Sequence, residues 1–188
     1  MNLLEASIEA QKDYSHKIVL ARVNGKLSEL NREICESQKN EIEWVTTADT
    51  SGMQTYRRSA TFLMLKAVRD VYGRSVNICV EYSLSKGYYC SVTGDVAVDE
   101  TFIGKISYRM KELVDECVPI NKLTYGLDEV IRIFHDEEMY DKEKLFRYRR
   151  ASKVNLYEMD GFRDYFYGYM VPDTSYLTVW KLFLYDKG

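Results

Sequence analysis

The sequence predicts an α+β fold in two parts: a helix–hairpin–strand module over residues 1–50, then an antiparallel sheet packed against helices over 51–188. Three observations carry this expectation. Asn24-Gly25 joins two runs of β-forming residues, and that dipeptide suits a tight hairpin because both turn positions require positive φ. Met53 to Tyr72 repeats apolar residues at helical spacing. Val76 to Val92 and Phe162 to Tyr185 are rich in aromatic and β-branched residues.

In chain order, Asn2 to Tyr14 carries Leu3, Leu4, Ala6, Ile8 and Ala10 at helical period. The hairpin IVLARVNGKLSEL follows at Ile18–Leu30, and Glu41–Thr46 (EIEWVT) alternates as a strand does. Ala48-Asp49-Thr50-Ser51-Gly52 is a polar turn and marks the boundary. In the helix beyond it, Ala60, Leu63, Ala67 and Val71 form a stripe beside Met64. Val76–Tyr82 and Gly87–Val92 are expected to pair around Ser83–Lys86. Asp99–Cys117 and Asp128–His135 are predicted helices, the first with Phe102, Ile106, Met110 and Leu113 at helical spacing, the second with Val130, Ile131 and Phe134 inward. Phe162–Met170 and Leu177–Tyr185 are predicted strands flanking Pro172. No internal repeat or low-complexity stretch interrupts this order.

The composition is that of a soluble globular protein, with 46% hydrophobic and 29% charged residues. No apolar run approaches the ~20 residues that span a bilayer, and Met1 does not open a signal-like segment, so the expectation is cytoplasmic with no membrane partner. Cys35, Cys79, Cys90 and Cys117 are widely spaced and are expected to be buried free thiols. A net charge of −3 argues against a general nucleic-acid binder. Charge is uneven, however: Lys142–Lys153 (KEKLFRYRRASK) holds six basic residues and one acidic. Within it Arg147, Tyr148, Arg149, Arg150 and Lys153 mix cations with an aromatic ring, as single-strand RNA binders do. The alternative is a basic edge answering Asp136, Glu137, Glu138 and Asp141. No phosphate-gripping Gly-rich loop occurs, and no Ser or Cys nucleophile is paired with a nearby His, so no catalytic residue is assigned.

Two segments carry a resemblance. YRRSATFLMLKAV at Tyr56–Val68 and DYFYGYMVPDTS at Asp164–Ser175 resemble the metal-site segments of the second additional (editing) domain of threonyl- and alanyl-tRNA synthetases. The first fifty residues resemble the later part of the TGS module, a small β-grasp domain whose opening strand pair is missing here. The resemblance implies His-x-x-x-His and Cys-x-x-x-His at four positions that are Arg58, Phe62, Phe166 and Met170 in this chain. None supplies a zinc donor, so no metal and no cofactor is expected in this region. Phe62, Phe166 and Met170 are expected to meet and be largely buried, either filling the cavity or lining an apolar ligand pocket with Arg58 at its rim. Arg57 and Arg58, at or near a helix start, oppose the helix dipole and point to an ion pair or a bound phosphate. Tyr165, Tyr167 and Tyr169 are expected on one strand face, as core packing or as a stacking platform.

VTTAD at Val45–Asp49, SKGYY at Ser85–Tyr89, MYDKEKLFRYRR at Met139–Arg150 and YGYMVPD at Tyr167–Asp173 further resemble the N-terminal half of bacterial uridine-type nucleoside kinases. That resemblance implies a non-catalytic accessory region, with a kinase domain using ATP and Mg beyond Gly188 as its partner. The alternatives are a metal-independent aminoacyl-tRNA or aminoacyl-ester hydrolase and a stand-alone adaptor for tRNA or other RNA.

Overall fold

The computed structural model describes residues 2–34, 40–186 and 188. The fold is α+β, with small antiparallel sheets and, among the described residues, five α-helices. The described chain divides into two compact units: Met1–Met64 with Met110–Ile120 and Tyr167–Lys181, and Leu65–Arg109 with Asn121–Phe166 and Leu182–Gly188.

The first unit opens with α1 (Leu3–Ala10), capped where the Asn2 side chain accepts the Leu4 N–H at 2.9 Å. A 3-10 turn at Gln11–Asp13 ends the helix short of the predicted Tyr14. The strands β1 (Ile18–Val23), β2 (Lys26–Glu29) and β3 (Ile42–Thr46) form an antiparallel sheet in the order β2-β1-β3. Asn24 and Gly25 both take positive φ, 51° and 79°, as the hairpin requires. Ile18, Val19, Leu20 and Ala21 are all buried, so the central strand reads as a continuous apolar run rather than an alternating one.

The α2 helix (Thr50–Tyr72) starts three residues before the predicted Met53 and stops at Gly73, whose φ of +63° suits a left-handed cap. Arg57 and Arg58 therefore lie two turns inside the helix rather than at its start. Its entry is fixed by Asp49, whose Oδ2 accepts the Thr46 N–H at 2.7 Å and the Thr46 hydroxyl at 3.0 Å. Gly52 passes so close to β3 that an added Cβ would sit 1.9 Å from the Thr46 carbonyl oxygen. Since that neighbour is backbone, Gly52→Ala is expected to lower stability by about 1–3 kcal/mol, as overpacking does. A melting temperature equal to wild type would contradict the close approach.

In the second unit, β4 (Val76–Leu84) and β5 (Gly87–Gly94) form a hairpin with a register shift between Val80 and Tyr82. The α3 helix (Glu100–Asp115) begins at Asp99, whose Oδ1 accepts the Phe102 N–H at 2.8 Å, and it buries Phe102, Ile106, Met110 and Leu113 as predicted. β6 (Asn121–Gly126), β7 (Lys153–Met159) and β8 (Phe162–Asp164) form an antiparallel sheet in chain order. Between β6 and β7 come α4 (Leu127–Asp136) and α5 (Tyr140–Arg147). Phe134 and Phe146 pack at 5.2 Å between ring centroids, and Tyr165 meets Phe146 edge-on at 5.0 Å. Buried Lys66 ties the turn between β7 and β8 to its helix, bonding Asp70 at 2.8 Å and the Asp160 carboxylate at 3.0 Å.

Several expectations change. The predicted strand Phe162–Met170 ends at Asp164, and Leu177–Tyr185 forms no strand among the described residues. The tyrosines at 165, 167 and 169 therefore share no strand face. Cys79 and Cys117 are exposed and Cys90 is half-buried, so these three are free thiols but not core residues. Cys35 lies outside the described residues. Among the described residues no helix is long and apolar enough to cross a membrane.

Candidate functional site

The four positions expected to replace metal ligands have different fates. Arg58, on the third turn of α2, is half-buried, and its Nη1 donates to the Tyr169 carbonyl at 2.8 Å. Its guanidinium lies against Gly168, where an added Cβ would stand 2.6 Å from Cζ and 2.8 Å from both Nη atoms. Gly168 also adopts φ +118°, a conformation that side chains resist. The φ is the stronger requirement for glycine, since the guanidinium is the mobile end of a long side chain and can shift aside. One turn further along α2, Phe62 is fully buried. Met170 is buried too, and its N–H donates to Glu29 Oε1 at 3.0 Å. Phe166 is half-buried, so of the three positions expected to be largely buried it alone keeps some exposure.

Ser59 organises the space beside Arg58. Its hydroxyl lies 2.9 Å from the Thr55 carbonyl and 3.3 Å from the Met170 sulfur, and it accepts the Val171 N–H at 3.0 Å. A hydroxyl has one proton, so the carbonyl and the thioether compete for it. The segment after β8 thus has its backbone satisfied by Arg58, Ser59 and Glu29 instead of a strand ladder. Sequence reading missed Ser59, Glu29 and Gly168. The one usable signal was a glycine inside an aromatic run, which marks a close approach rather than a strand interior. Among the described residues, no three His, Cys, Asp or Glu side chains cluster in a way that would hold a metal ion.

Arg57 is half-buried. Its carbonyl accepts the Thr61 hydroxyl at 3.0 Å, while its guanidinium makes no hydrogen bond or ion pair among the described residues.

The basic–aromatic stretch is helical at first, forming α5, and its cations divide into two sets. Arg147 is engaged by Glu143, through Nη2 at 2.5 Å and Nε at 3.1 Å. Arg147, and then His135 at 3.1 Å, hold the Glu143 carboxyl below the usual range through their hydrogen bonds. Arg149 stacks over Tyr165 at 4.8 Å and Phe146 at 5.2 Å. Lys142 grips the buried Asp164 at 2.6 and 2.7 Å. Lys144, Arg150 and Lys153 are exposed and make no hydrogen bond or ion pair among the described residues, and Tyr148 is 80% exposed. Two of the four upstream acids, Glu137 and Glu138, have partners outside the stretch. Glu137 pairs with Arg69 and Arg74, and Glu138 with Arg74.

No protein-family model matches the chain. The chain is similar to threonine–tRNA ligases. That of Syntrophotalea carbinolica is 31% identical over 169 residues, covering 89% of this chain and 26% of the ligase. That of Carboxydothermus hydrogenoformans is 27% identical over 181 residues, covering 94% and 28%. That of Staphylococcus saprophyticus is 28% identical over 166 residues, covering 88% and 25%. The chain spans about a quarter of the length of the curated relatives it matches. These relatives lend no support to a nucleoside-kinase parent.

Proposed function

We propose that this chain is a tRNA-binding module related to the editing region of threonyl-tRNA synthetases, working without a metal and without hydrolysis of its own. The observation that carries the reading is its similarity to threonine–tRNA ligases along nine-tenths of its length. Three of the four ligand positions support the non-hydrolytic half, because Arg58 is engaged by a carbonyl and Phe62 and Met170 are buried. The kinase domain, and the ATP and Mg that would come with it, have no part in this proposal.

RNA contact is assigned to the unpaired cations Lys144, Arg150 and Lys153, with Tyr148 available to stack a base. Arg147 and Arg149 shape the segment, since each already has an internal partner. Affinity for tRNA, followed by fluorescence anisotropy across a salt series, is expected to fall steeply with salt through counterion release. Replacing Lys144, Arg150 and Lys153 together by Ala should weaken binding and flatten the log–log salt slope by about 2–3, near 0.9 per lost phosphate contact. The fold should be unaffected, because exposed charges contribute little stability. Salt-insensitive binding, or a triple variant that binds like wild type, would remove the support for this reading. Turnover of an aminoacyl ester by the purified chain would favour the metal-independent hydrolase in its place.

A further inference from the structure

We infer that Arg149 is the phosphate fork of the basic stretch: held against Phe146 and Tyr165, its guanidinium takes two oxygens of one phosphate in a single-stranded RNA segment and so fixes how the strand lies on this face. The inference rests on the RNA contact proposed for this stretch and adds to it one residue and the chemical group it takes.

The convergence lies within the second unit. The Arg149 Cζ stands 5.2 Å from the centre of the Phe146 ring and 4.8 Å from that of Tyr165, and the two rings meet edge-on at 5.0 Å. Cation and rings thus form a near-equilateral triangle. Both rings are fixed in turn. Phe146 is 1% exposed and packs on Phe134, while the Tyr165 N–H donates to Asp164, which Lys142 holds. The Arg149 backbone is pinned as well, its N–H donating to the Phe146 carbonyl at 3.1 Å just past the end of α5.

Neither ring offers an oxygen. The five N–H donors of the exposed guanidinium therefore have no acceptor among the described residues. Of the acids on α5 and β8, Glu143 is taken by Arg147 and His135 and Asp164 by Lys142, while Asp141 stands at the opposite end of the helix. Shaping the segment and gripping a phosphate are compatible roles, because a cation–π contact leaves a guanidinium still in need of acceptors. A flexible side chain surrenders rotamer freedom when it meets an oxyanion. A guanidinium already seated against two rings surrenders less, and its planar fork matches two phosphate oxygens. Lys144, Arg150 and Lys153, which make no hydrogen bond or ion pair among the described residues, attract a polyanion without orienting it.

The experiment follows fluorescence anisotropy with two probes: a tRNA transcript, and an RNA hairpin with a single-stranded tail in which one tail phosphate at a time is a neutral methylphosphonate. Arg149→Lys keeps the charge and loses the fork. Its affinity for tRNA should fall about tenfold, the worth of one charge-assisted hydrogen bond, while the log–log salt slope stays as in wild type. The Lys144, Arg150 and Lys153 triple variant flattens that slope instead. In the hairpin series, one tail position should cost wild type about tenfold and cost Arg149→Lys little. A packing role for Arg149 cannot produce that result, because a neutral phosphate on the RNA leaves the fold of the protein untouched. Arg149→Lys binding tRNA like wild type, or methylphosphonates that cost both proteins equally at every position, would overturn the fork; a weakened triple variant would then leave the RNA reading standing. Wild type with no salt-sensitive tRNA binding would overturn both.

Discussion

Lys142→Met is expected to destabilise the protein by about 3–5 kcal/mol at neutral pH, the cost of leaving a buried charge without its partner. Asp164 is 1% exposed, and Lys142 reaches both of its oxygens, while the Tyr165 N–H adds a bond at 2.6 Å. Burial raises the Asp164 pKa, and the Lys142 charge and its hydrogen bonds oppose that rise without cancelling it. The folded-state pKa is therefore above the unfolded one. Stability linked to this group is fully present below the unfolded pKa and is lost as pH rises through the folded pKa. Removing Lys142 lifts the folded pKa further, so the variant's deficit should be largest at neutral pH and shrink as acid neutralises Asp164. Urea denaturation at neutral and mildly acidic pH measures both deficits. A deficit that does not change with pH would rule out the charge explanation.

Phe62→Ala should cost about 3–5 kcal/mol, in line with other buried aromatic truncations. Phe62 is fully buried, whereas Phe166 is half-buried, so Phe166→Ala should cost clearly less, about 1–2 kcal/mol. Equal losses in thermal or chemical denaturation would mean the two rings are packed alike, which the structure does not support.

The parts legible in the sequence were those governed by local chemistry. Asn24-Gly25 announced its turn, the apolar stripe from Phe102 to Leu113 announced α3, and the long stripe announced α2. α5 was missed because most of its length, YDKEKLFR, is charged and its apolar contribution to the core is chiefly Phe146. β7 was hidden because Lys153 had been grouped with the basic run, although Val154, Leu156 and Tyr157 that follow it are buried. The strand predicted through Met170 ends at Asp164, and beyond it the backbone of residues 169–171 bonds to the Arg58, Glu29 and Ser59 side chains, partners distant in sequence that no local pattern reveals. Arg58 was visible in the sequence as a cation at an expected site position. That it holds the Tyr169 carbonyl, more than a hundred positions away, was not.

The latch between Arg58 and the glycine beneath it also constrains the order in which substitutions can accumulate. Exchanging Arg58 for a shorter ligand-type residue such as histidine would leave the Tyr169 carbonyl without its donor and open a gap over Gly168. Filling that gap from the glycine side is opposed by the backbone, since Gly168 holds φ +118°, and a Cβ added there meets the guanidinium unless Arg58 swings aside. Substitutions at the two positions are therefore expected to be non-additive, so a change at Arg58 is tolerated best together with a change in the segment it holds: the two positions evolve as a pair.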